Sequence, residues 1–546
     1  MLYANWRQQK HNQRAVFEAF FRKAPFCGEF AVMAGVKQMV DFLLSMTFTD
    51  DHLKFFRRRF PNAPEEFFHY LGNISAADLT VHAIPEGTVV FPKVPLIRVE
   101  GPLAVCQLIE TPILNILNYA VLVATNAARH RLAAGPHKQL LEFGARRAQG
   151  PNGALSASRY AYLGGFDATS NTEASFLFDI PLRGTMAHSF VTSFTSLEQL
   201  QCMLLPAEAS PPLAPGAACP AVPVDIGTDY PTAAAERPAA DFVDCVREFR
   251  KRVVALWADS NLETVMQEGE LAAFTAFAQT FPHAFLALVD TYDTLVSGIP
   301  NAIVVAMALL SFGYRPVGVR LDSGDLSYLS QEARRMFREA AEAFNMPQLA
   351  RLTIVASNEL NEVVIAALND QGHEVDAFAV GTNLVTCQAQ PALGMVYKLV
   401  ELDGQPCMKL SQDYEKTSLP SKKEVFRFYT RSGVPALDLL QEAAAAAPVA
   451  GEKIFCRHLF DDRKRCFFVP SRVERLLLPY VDRGKKVTEP RSLKEARAAC
   501  MGALQQLRPD MTRQVNPTPF KVSASETYYR FFHRLWQSTA PVRTIE

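Results

Sequence analysis

An alternation of strand-like and helix-like segments between residues 317 and 382 constrains the fold more than any other feature of the sequence. Three β-type runs, at 317–322, 351–356 and 375–380, are separated by two stretches whose apolar residues recur at helical spacing. Strands and helices that alternate with short connections predict parallel strands joined by right-handed crossovers. The sequence therefore predicts an α/β fold, with either a barrel or an open parallel sheet.

Polar residues follow each of the three predicted strands. Because the carboxyl ends of parallel strands meet at one edge of a sheet, ligands of such folds gather there. The residues at these strand ends can bind anions or hydroxyl groups: Arg320 with Asp322-Ser323-Gly324-Asp325, then Ser357-Asn358, then Gly381-Thr382. We expect the functional site at this edge.

The segments on either side of this region have different patterns. Residues 81–99 alternate β-favouring runs with Pro and Gly turns, which suggests antiparallel sheet, and 103–134 predict one long helix or two abutting helices ended by Gly135. Near the C-terminus, Ser523 and Glu526 have the spacing of a capping box that begins a helix. Eight prolines between 205 and 240 predict a surface loop or insertion, because proline interrupts helices and central strands.

Composition excludes several classes of protein. The 56 Lys and Arg residues balance the 56 Asp and Glu residues, so no basic field is expected to hold nucleic acid or an anionic membrane. The longest apolar runs, such as 302–310, are about half of the roughly 20 residues that a membrane-spanning helix needs. The ten cysteines form no Cys-x-x-Cys pair, which favours reduced thiols. We expect a cytosolic enzyme without a nucleic-acid or membrane partner.

The turn at 320–325 and the histidine at 188 are the main candidates for chemistry. Asp322 and Asp325 could hold ribose hydroxyls or Mg²⁺ while Arg320 pairs with a ligand carboxylate or phosphate, but an Asp in such a turn also caps the helix that follows. His188, among small polar residues, could be a base, a metal ligand or a phosphate acceptor. It could equally be a histidine without a catalytic role.

Several other residues have two interpretations each. Gly381 and Thr382 could offer a backbone N–H and a hydroxyl to a phosphate, or form an ordinary strand-to-loop connection. Lys398 could lie near bound phosphates or on a solvated surface. Arg146 could face an anion or complement a helix C-terminus, and Asp167 lies in a segment typical of either a ligand loop or a turn.

Together these segments resemble a known family. In chain order, the motifs are Phe-Arg-Lys-Ala-Pro-Phe at 21–26, Pro-Glu-Gly at 85–87, Arg-Arg-Ala-Gln-Gly at 146–150, Gly-Gly-Phe-Asp at 164–167, Gly-Thr-Met-Ala-His-Ser-Phe at 184–190, Asp-Thr-Tyr at 290–292, Gly-Val-Arg-Leu-Asp-Ser-Gly-Asp at 318–325, Gly-Thr at 381–382 and Tyr-Lys at 397–398. This series resembles the nicotinate phosphoribosyltransferases, particularly their animal-type branch. It covers nearly the whole chain outside the proline-rich segment.

The resemblance implies a fold and a division into domains. The fold is the type II phosphoribosyltransferase architecture, an irregular TIM-like α/β barrel with an α+β domain built from the N- and C-terminal parts. We expect an N-terminal α+β domain at 1–135, a barrel at 136–385 that contains the insertion 205–240, and a C-terminal region at 386–546 that packs on the N-terminal domain. The resemblance also implies a homodimer.

The reaction implied is the formation of nicotinate mononucleotide and diphosphate from nicotinate and 5-phosphoribosyl 1-diphosphate, coupled to hydrolysis of ATP to ADP and phosphate. This is the first step of NAD synthesis from nicotinic acid. By resemblance, ATP phosphorylates His188, while Thr185 and Arg320 bind nicotinate and Thr382 binds the phosphoribosyl substrate. Asp322 and Asp325 are expected at the sugar hydroxyls and at Mg²⁺ or Mn²⁺. The remaining predicted substrate-binding residues are Gly381, Arg146, Asp167, Ser323 and Lys398.

Residue chemistry is compatible with this reaction, and two alternatives stay open. A guanidinium can bind the carboxylate of nicotinate through two hydrogen bonds, whereas the neutral amide of nicotinamide cannot form the same pair of bonds. The alternatives are a nicotinamide phosphoribosyltransferase and an inactive paralogue that only binds ligand. Members of the family begin with a Thr-Asp-Leu-Tyr stretch whose Tyr stacks on the pyridine ring, and we expect Met1 to align just downstream of it. That role is therefore not assigned to Tyr3.

Overall fold

The structure is a computed structural model, and it describes residues 1–207, 239–258, 262–411, 413 and 416–540. The predicted proline-rich insertion at 205–240 lies almost entirely outside the described residues. Its flanks, Leu204–Pro206 and Ala239–Asp241, pair as two short antiparallel strands.

The described helices have the following bounds: α1 Leu2–Arg7, α2 Val36–Ser45, α3 Asp50–Arg59, α4 Glu65–Gly72, α5 Leu103–Leu108, α6 Glu110–Ala134, α7 Gly150–Leu163, α8 Thr172–Phe178, α9 His188–Val191, α10 Phe242–Leu256, α11 Leu262–Val265, α12 Glu268–Thr280, α13 Ile299–Ser311, α14 Leu326–Ala343, α15 Glu362–Gln371, α16 Thr382–Thr386, α17 Leu493–Gln506 and α18 Glu526–Thr539. The described strands are β1 Arg14–Phe20, β2 Ala31–Val32, β3 Thr80–Ala83, β4 Val89–Val90, β5 Ile97–Pro102, β6 Gln139–Glu142, β7 Ala168–Thr169, β8 Leu204–Pro206, β9 Ala239–Asp241, β10 Leu286–Leu288, β11 Gly318–Leu321, β12 Thr353–Ala356, β13 Ala377–Val380, β14 Val396–Leu402, β15 Gln405–Pro406, β16 Lys423–Tyr429, β17 Pro435–Glu442, β18 Ile454–Arg457, β19 Arg465–Phe468, β20 Arg472–Arg475, β21 Leu478–Asp482, β22 Lys485–Lys486 and β23 Lys521–Ser525.

The chain divides into two compact units. Unit 1 comprises Met1–Arg129, Arg159–Gly165 and Cys387–Glu546, and unit 2 comprises His130–Ser158 and Phe166–Thr386. Unit 1 thus combines the N- and C-terminal parts of the chain, while unit 2 contains the alternating segments from which the α/β fold was predicted.

Unit 2 is built on a six-stranded sheet in the order β10-β11-β12-β13-β6-β7. Every neighbouring pair of these strands is parallel. All residues of β12 and β13 are buried, as expected for a parallel sheet with helices on its faces. The predicted α/β fold and its three central strands are confirmed, with α14 and α15 as the connecting helices.

Helix α13 runs through the core of unit 2, and eleven of its thirteen residues are buried. A turn of π-helix, Thr294–Gly298, precedes it directly, so the helical segment is longer than the apolar run seen in the sequence. Within the described residues, Thr294–Ser311 is the one helical stretch long and apolar enough to cross a membrane, and 72% of it is buried inside the protein. A helix that is apolar all round is also what a protein core requires.

An aspartate and an arginine connect the amino ends of two strands in unit 2. Asp376, just before β13, accepts hydrogen bonds on Oδ2 from the backbone N–H of Ile354 at 2.9 Å and from Arg334 Nη2 at 2.7 Å. Arg334 lies on α14 and also donates from Nη1 to the carbonyl of Leu352 at 2.7 Å. This Asp–Arg clamp connects the helix before β12 to the start of β13.

The same clamp occurs a second time, two strands farther along the sheet. Asp167, just before β7, accepts on Oδ2 from the backbone N–H of Leu140 at 2.9 Å and from Arg131 Nη2 at 2.5 Å. Arg131, on α6, donates from Nη1 to the carbonyl of Lys138 at 2.6 Å. The match with the Asp376 clamp, donor by donor, indicates that both stabilise the amino edge of the sheet.

Unit 1 contains two larger sheets. A seven-stranded sheet has the order β15-β14-β1-β5-β3-β21-β22, and its paired strands are antiparallel. It therefore combines strands from both ends of the chain, which confirms the α+β domain predicted from the N- and C-terminal parts. The second sheet, β19-β18-β23-β17-β16-β20, is antiparallel except for the pair β17 and β23.

Two predictions of helix ends have different outcomes. The segment 103–134 forms two abutting helices, α5 and α6, and Gly135 follows with a φ of +77°, a conformation in which glycine is favoured. The capping box predicted at Ser523 is wrong. Ser523 lies inside β23, and the N-cap of α18 is Ser525, whose hydroxyl accepts from the backbone N–H of Tyr528.

Candidate functional site

The candidate site lies at the carboxyl edge of the parallel sheet in unit 2. Asp290 follows β10, Asp322 follows β11, Ser357 follows β12 and Gly381 follows β13. Parallel register brings these strand ends side by side, with Arg320 of β11 beside Val355 of β12. The edge predicted from the sequence is therefore the one at which the polar residues meet.

Arg320 is held by three hydrogen bonds at this edge. It donates from Nε to Ser357 Oγ at 2.8 Å, from Nη1 to Thr185 Oγ1 at 3.1 Å and from Nη2 to Asp322 Oδ1 at 3.0 Å. Its guanidinium carbon lies 5.4 Å from the centre of the Phe143 ring, and the side chain is 14% exposed. A guanidinium has five N–H groups, so these contacts leave two for an anionic ligand.

Asp322 is the residue that connects the arginine to the histidine. Its Oδ1 accepts from Ser357 Oγ at 2.5 Å as well as from Arg320, and its Oδ2 lies 3.6 Å from His188 Nε2. Burial by itself raises the pKa of Asp322, but the Ser357 hydrogen bond and the Arg320 charge outweigh it, and the pKa lies below its usual range. Asp322 is therefore ionised at neutral pH.

His188 is the first residue of α9, and its two ring nitrogens face different partners. Nδ1 lies 3.1 Å from Thr291 Oγ1, whereas Nε2 faces Asp322 and lies 3.9 Å from Asp290 Oδ1. The His188 side chain is 44% exposed and that of Asp290 only 3%. Ser323 Oγ donates to the other oxygen of Asp290 at 2.5 Å. Nε2 is thus the nitrogen surrounded by carboxylates.

The second aspartate of the turn has a different role. Asp325 is the N-cap of α14, and its Oδ1 accepts from the backbone N–H of Tyr328 at 3.0 Å. Asp322 and Asp290, rather than Asp322 and Asp325, are the carboxylates that approach His188. The described residues contain no group of three or more His, Cys, Asp and Glu side chains suited to a metal. Mg²⁺ commonly binds through one or two carboxylates together with substrate phosphates, and this pair fits that mode.

Gly381, Thr382 and Arg146 lie farther along the same edge. Gly381 follows β13 and Thr382 begins α16, while Arg146 is exposed in the 3₁₀ turn Ala145–Arg147 that follows β6. The two turns touch, because a Cβ on Gly144 would lie 2.9 Å from the carbonyl oxygen of Gly381. The structure therefore places a hydroxyl and a guanidinium on adjacent strand ends.

A buried glutamate that sequence reasoning missed supports the Arg146 turn. Glu142, which is 1% exposed, accepts on Oε2 from Ser158 Oγ at 2.7 Å and from Thr169 Oγ1 at 2.5 Å. Its Oε1 accepts from the backbone N–H of Gly144 at 2.5 Å. The carboxylate thus connects the ends of β6 and β7 to α7 beneath the turn that carries Arg146.

Two predicted site residues are not brought to this edge. Asp167 lies at the opposite, amino edge of the sheet, where its carboxylate forms the clamp with Arg131. Lys398 belongs to unit 1, where it lies on β14 opposite Glu18 of β1. In contrast, Asp290 and Thr291 were quoted only as part of a motif and turn out to contact His188. Their position directly after the apolar run 285–289 is the feature that could have identified them.

Comparisons with known proteins agree with this geometry. Residues 1–118 match the family model for the nicotinate phosphoribosyltransferase (NAPRTase) N-terminal domain, and residues 422–532 match the model for the C-terminal domain. The chain is 48% identical to nicotinate phosphoribosyltransferase 2 of Arabidopsis thaliana, covering 100% of this chain and 94% of the relative. It is 42% identical to the nicotinate phosphoribosyltransferase of Homo sapiens, covering 98% of this chain and 95% of the relative.

Solved structures show the same likeness. The crystal structure of human nicotinic acid phosphoribosyltransferase matches with a TM-score of 0.83 and 40% identity, covering 98% of both chains. A nicotinate-nucleotide pyrophosphorylase from Pyrococcus furiosus, 20% identical and covering 92% of both chains, matches with a TM-score of 0.56 and so shares the fold. Identity above 40% over essentially the full length of the relatives, together with the fold and the edge residues, shows that the chain belongs to the nicotinate phosphoribosyltransferases.

Proposed function

We propose that this protein joins nicotinate to 5-phosphoribosyl 1-diphosphate and couples the reaction to ATP hydrolysis through a phosphorylated His188. The products are nicotinate mononucleotide, diphosphate, ADP and phosphate, as in the first step of NAD synthesis from nicotinic acid. The observation that carries the proposal is the position of Asp322, which bonds Arg320 through one oxygen and faces His188 through the other. One site therefore contains both a carboxylate-binding guanidinium and a nucleophilic nitrogen.

Arg320 supplies the selectivity for the acid. Two charge-assisted hydrogen bonds from its remaining N–H groups match the two oxygens of the nicotinate carboxylate. The amide of nicotinamide would direct its NH₂ group, a donor, at a group that can only donate, and one hydrogen bond would be lost. Phe143 and the three protein hydrogen bonds hold the guanidinium in place, so little side-chain freedom is lost when the substrate binds.

In the transfer step, the ring nitrogen of nicotinate bonds to C1 of the ribose while the bond from C1 to the diphosphate oxygen breaks. The electron pair of that bond leaves with diphosphate. Since the carbon passes through an oxocarbenium-like state, the protein mainly has to orient the reactants and stabilise the departing charge. The exposed Arg146 and Thr382, at adjacent strand ends of the same sheet edge, are suited to the phosphate groups.

In the ATP step, Nε2 of His188 attacks the γ-phosphorus and ADP leaves. Water later attacks the same phosphorus, the bond from phosphorus to Nε2 breaks, and phosphate is released. Thr291 contacts Nδ1, which orients the ring and leaves Nε2 as the nucleophile. The carboxylates of Asp322 and Asp290 lie 3.6 and 3.9 Å from Nε2, so a phosphoryl group there meets like charges. This repulsion raises the free energy of the phosphohistidine and favours transfer of its phosphoryl group.

Asp322 and Asp290 are the residues that would hold Mg²⁺ or Mn²⁺, with substrate phosphates as the other ligands. The ion would supply neutralising charge next to the phosphates and carboxylates. Asp325 is less suited to this role than the sequence suggested, because its Oδ1 caps α14. We also propose that the protein is a homodimer in the cytosol. We further propose that it binds neither nucleic acid nor membrane, and its balanced charge supports this second point.

The test is turnover by the purified protein. We expect nicotinate mononucleotide from nicotinate, 5-phosphoribosyl 1-diphosphate and Mg²⁺, a faster reaction with ATP, and a lower kcat/KM with nicotinamide. His188→Ala should abolish both the ATP stimulation and the labelling of the protein by γ-³²P-ATP, whereas His69→Ala, at an exposed histidine, should change neither. A preference for nicotinamide would identify the related amide enzyme. Ligand binding without turnover would identify an inactive paralogue.

A further inference from the structure

Unit 2 contains a buried carboxyl group that the mechanism above does not use. Glu270 of α12 is 0% exposed, and its Oε2 accepts from Ser297 Oγ at 2.6 Å and from Asn301 Nδ2 at 3.0 Å. Asn301 Nδ2 also donates to the carbonyl of Gln267 at 3.1 Å, and Ser297 Oγ accepts from the Gln267 N–H at 3.0 Å. Within the part of the chain that the structure describes, Glu270 Oε1 and Asn301 Oδ1 are buried without a hydrogen-bond partner. Because burying a carboxyl group in this way is costly, its presence here needs an explanation.

The network is attached to the end of a closed loop. Ser297 lies in the π-helical turn Thr294–Gly298, whose N-terminus is capped by Asp293 Oδ1. The Gly298 N–H donates to the carbonyl of Asp293 at 2.9 Å. Gly298 also touches the start of the loop, because a Cβ there would lie 1.8 Å from the carbonyl oxygen of Val289. Residues 289–298 therefore form a loop whose two ends are in contact, and π-helical turns of this kind often occur at functional sites.

This 289–298 loop carries two of the three residues that lie against the histidine of the site, the third being Asp322. Thr291 lies against Nδ1 of His188 at 3.1 Å, and Asp290 faces Nε2 at 3.9 Å. A continuous series of contacts thus runs from Glu270 through Ser297 to the loop and on to His188. Glu270 itself does not contact His188, so any influence on the chemistry is exerted through the loop.

Burial determines the protonation of Glu270. Desolvation, together with the charges of Asp290 and Asp293, outweighs the hydrogen bonds from Ser297 and Asn301 and raises the pKa of Glu270 to about 7. Near neutral pH the group is therefore protonated in a large fraction of molecules. Glutamine, which keeps one oxygen acceptor and adds donors at the same place, is a close substitute for that form.

We propose that Glu270 is a positioning residue for the ATP-coupled step: through Ser297 and Asn301 it holds the 289–298 loop so that Thr291 and Asp290 face His188. The proposal rests on the proposed function, because it concerns the same histidine. It predicts that loss of the buried acceptor impairs phosphorylation of His188 more than it impairs phosphoribosyl transfer without ATP. Arg320, which binds nicotinate in the proposed function, lies on β11 and is held by Ser357 and Thr185, both of which are outside the loop.

Three variants test this inference. Glu270→Leu removes the acceptor while keeping a side chain of similar size, Glu270→Gln restores an acceptor, and Glu248→Leu makes the first change at an exposed glutamate of α10. Two rates are measured on each purified protein: labelling of His188 by γ-³²P-ATP in the absence of nicotinate, and formation of nicotinate mononucleotide with and without ATP.

We expect Glu270→Leu to slow labelling and lower the ATP stimulation at least fivefold, with a change of less than twofold in the KM for nicotinate. The rate without ATP should fall less than the labelling rate, because Asp322, the other carboxylate at the proposed metal position, is held by Arg320 and Ser357 outside the loop. Glu270→Gln should stay within twofold of the unmodified protein, as should Glu248→Leu. Equal losses in both rates, or unchanged labelling in Glu270→Leu, would overturn the positioning role. If Glu270→Leu does not fold, Ser297→Ala, which removes the hydrogen bonds of the Ser297 hydroxyl but keeps the one from Asn301 to Glu270, is judged by the same criteria. An unmodified protein that is never labelled would instead refute the phosphohistidine step of the proposed function.

Discussion

Replacing Arg320 by lysine tests how the site recognises a carboxylate. The guanidinium uses three N–H groups on Ser357, Thr185 and Asp322 and has two left for nicotinate. A lysine ammonium has the same charge but only three donors and no fixed planar geometry. It cannot satisfy these three oxygens and a carboxylate at the same time.

The size of the effect follows from the number of hydrogen bonds lost. A hydrogen bond to a charged group contributes about 1.5–3 kcal/mol, and about 1.4 kcal/mol corresponds to a factor of ten. Loss of one of the two bonds from Arg320 to nicotinate should therefore lower kcat/KM for nicotinate by about 10- to 100-fold. Because the carboxylate is bound alike in the ground state and the transition state, the change should lie mainly in KM rather than in kcat.

Initial rates at varied nicotinate and saturating 5-phosphoribosyl 1-diphosphate measure this effect, and the same series with nicotinamide shows whether selectivity for the acid falls. Arg335→Lys is the matched control, because Arg335 is exposed on α14 and pairs with Glu332 and Glu339. Its kinetics should be unchanged. A KM for nicotinate within twofold of the unmodified value in Arg320→Lys would mean that the carboxylate binds elsewhere.

Three further predictions concern the loop and the sheet. Gly298→Ala should lower both the unfolding temperature and the ATP stimulation, because its Cβ would lie 1.8 Å from the carbonyl oxygen of Val289; an unaffected variant would contradict the closed loop. Asp167→Ala and Asp376→Ala should destabilise the protein by similar amounts, measured in urea, without changing the KM for nicotinate, and a raised KM in Asp167→Ala alone would place that residue at the substrate. The Glu270 pKa of about 7 lies above the model-peptide value of 4.5 that applies to the unfolded chain, so the stability it contributes is present at low pH and is lost as pH rises through about 7. Between pH 5 and 8, the free energy of unfolding of Glu270→Gln should consequently rise relative to that of the unmodified protein, by up to about 3 kcal/mol. A difference in unfolding free energy between the two proteins that does not vary with pH would refute the raised pKa.

The alternating strands and helices of unit 2 could be predicted because their pattern is local. Strands β11, β12 and β13 and helices α14 and α15 all fall within predicted segments, since burial on one face or two imposes a periodicity on neighbouring residues. The capping residue of α18 could not be located in the same way. Ser523 and Ser525 both precede an apolar stripe, and pairing of β23 with β17 and β18 determines which of them ends the strand.

The candidate site was predictable where strand ends coincide with polar residues. Arg320, Asp322 and Thr382 follow this rule, because parallel strands present their carboxyl ends together. Asp325 and Asp167 show its limit. Asp325, three residues past Asp322, caps helix α14, and Asp167, which precedes β7, lies at the opposite edge of the sheet.

Local periodicity and residue chemistry were enough to predict the class of fold and the edge that carries the site, and the resemblance of the ordered motifs predicted the family of enzymes. The contacts around His188 could not be predicted in this way, because Thr291 lies 103 residues away from it in the chain and Glu270 contacts the same loop through Ser297. Distances of this kind depend on sheet register and on how a helix packs in the core. Both depend on many residues at once, so no short motif encodes them.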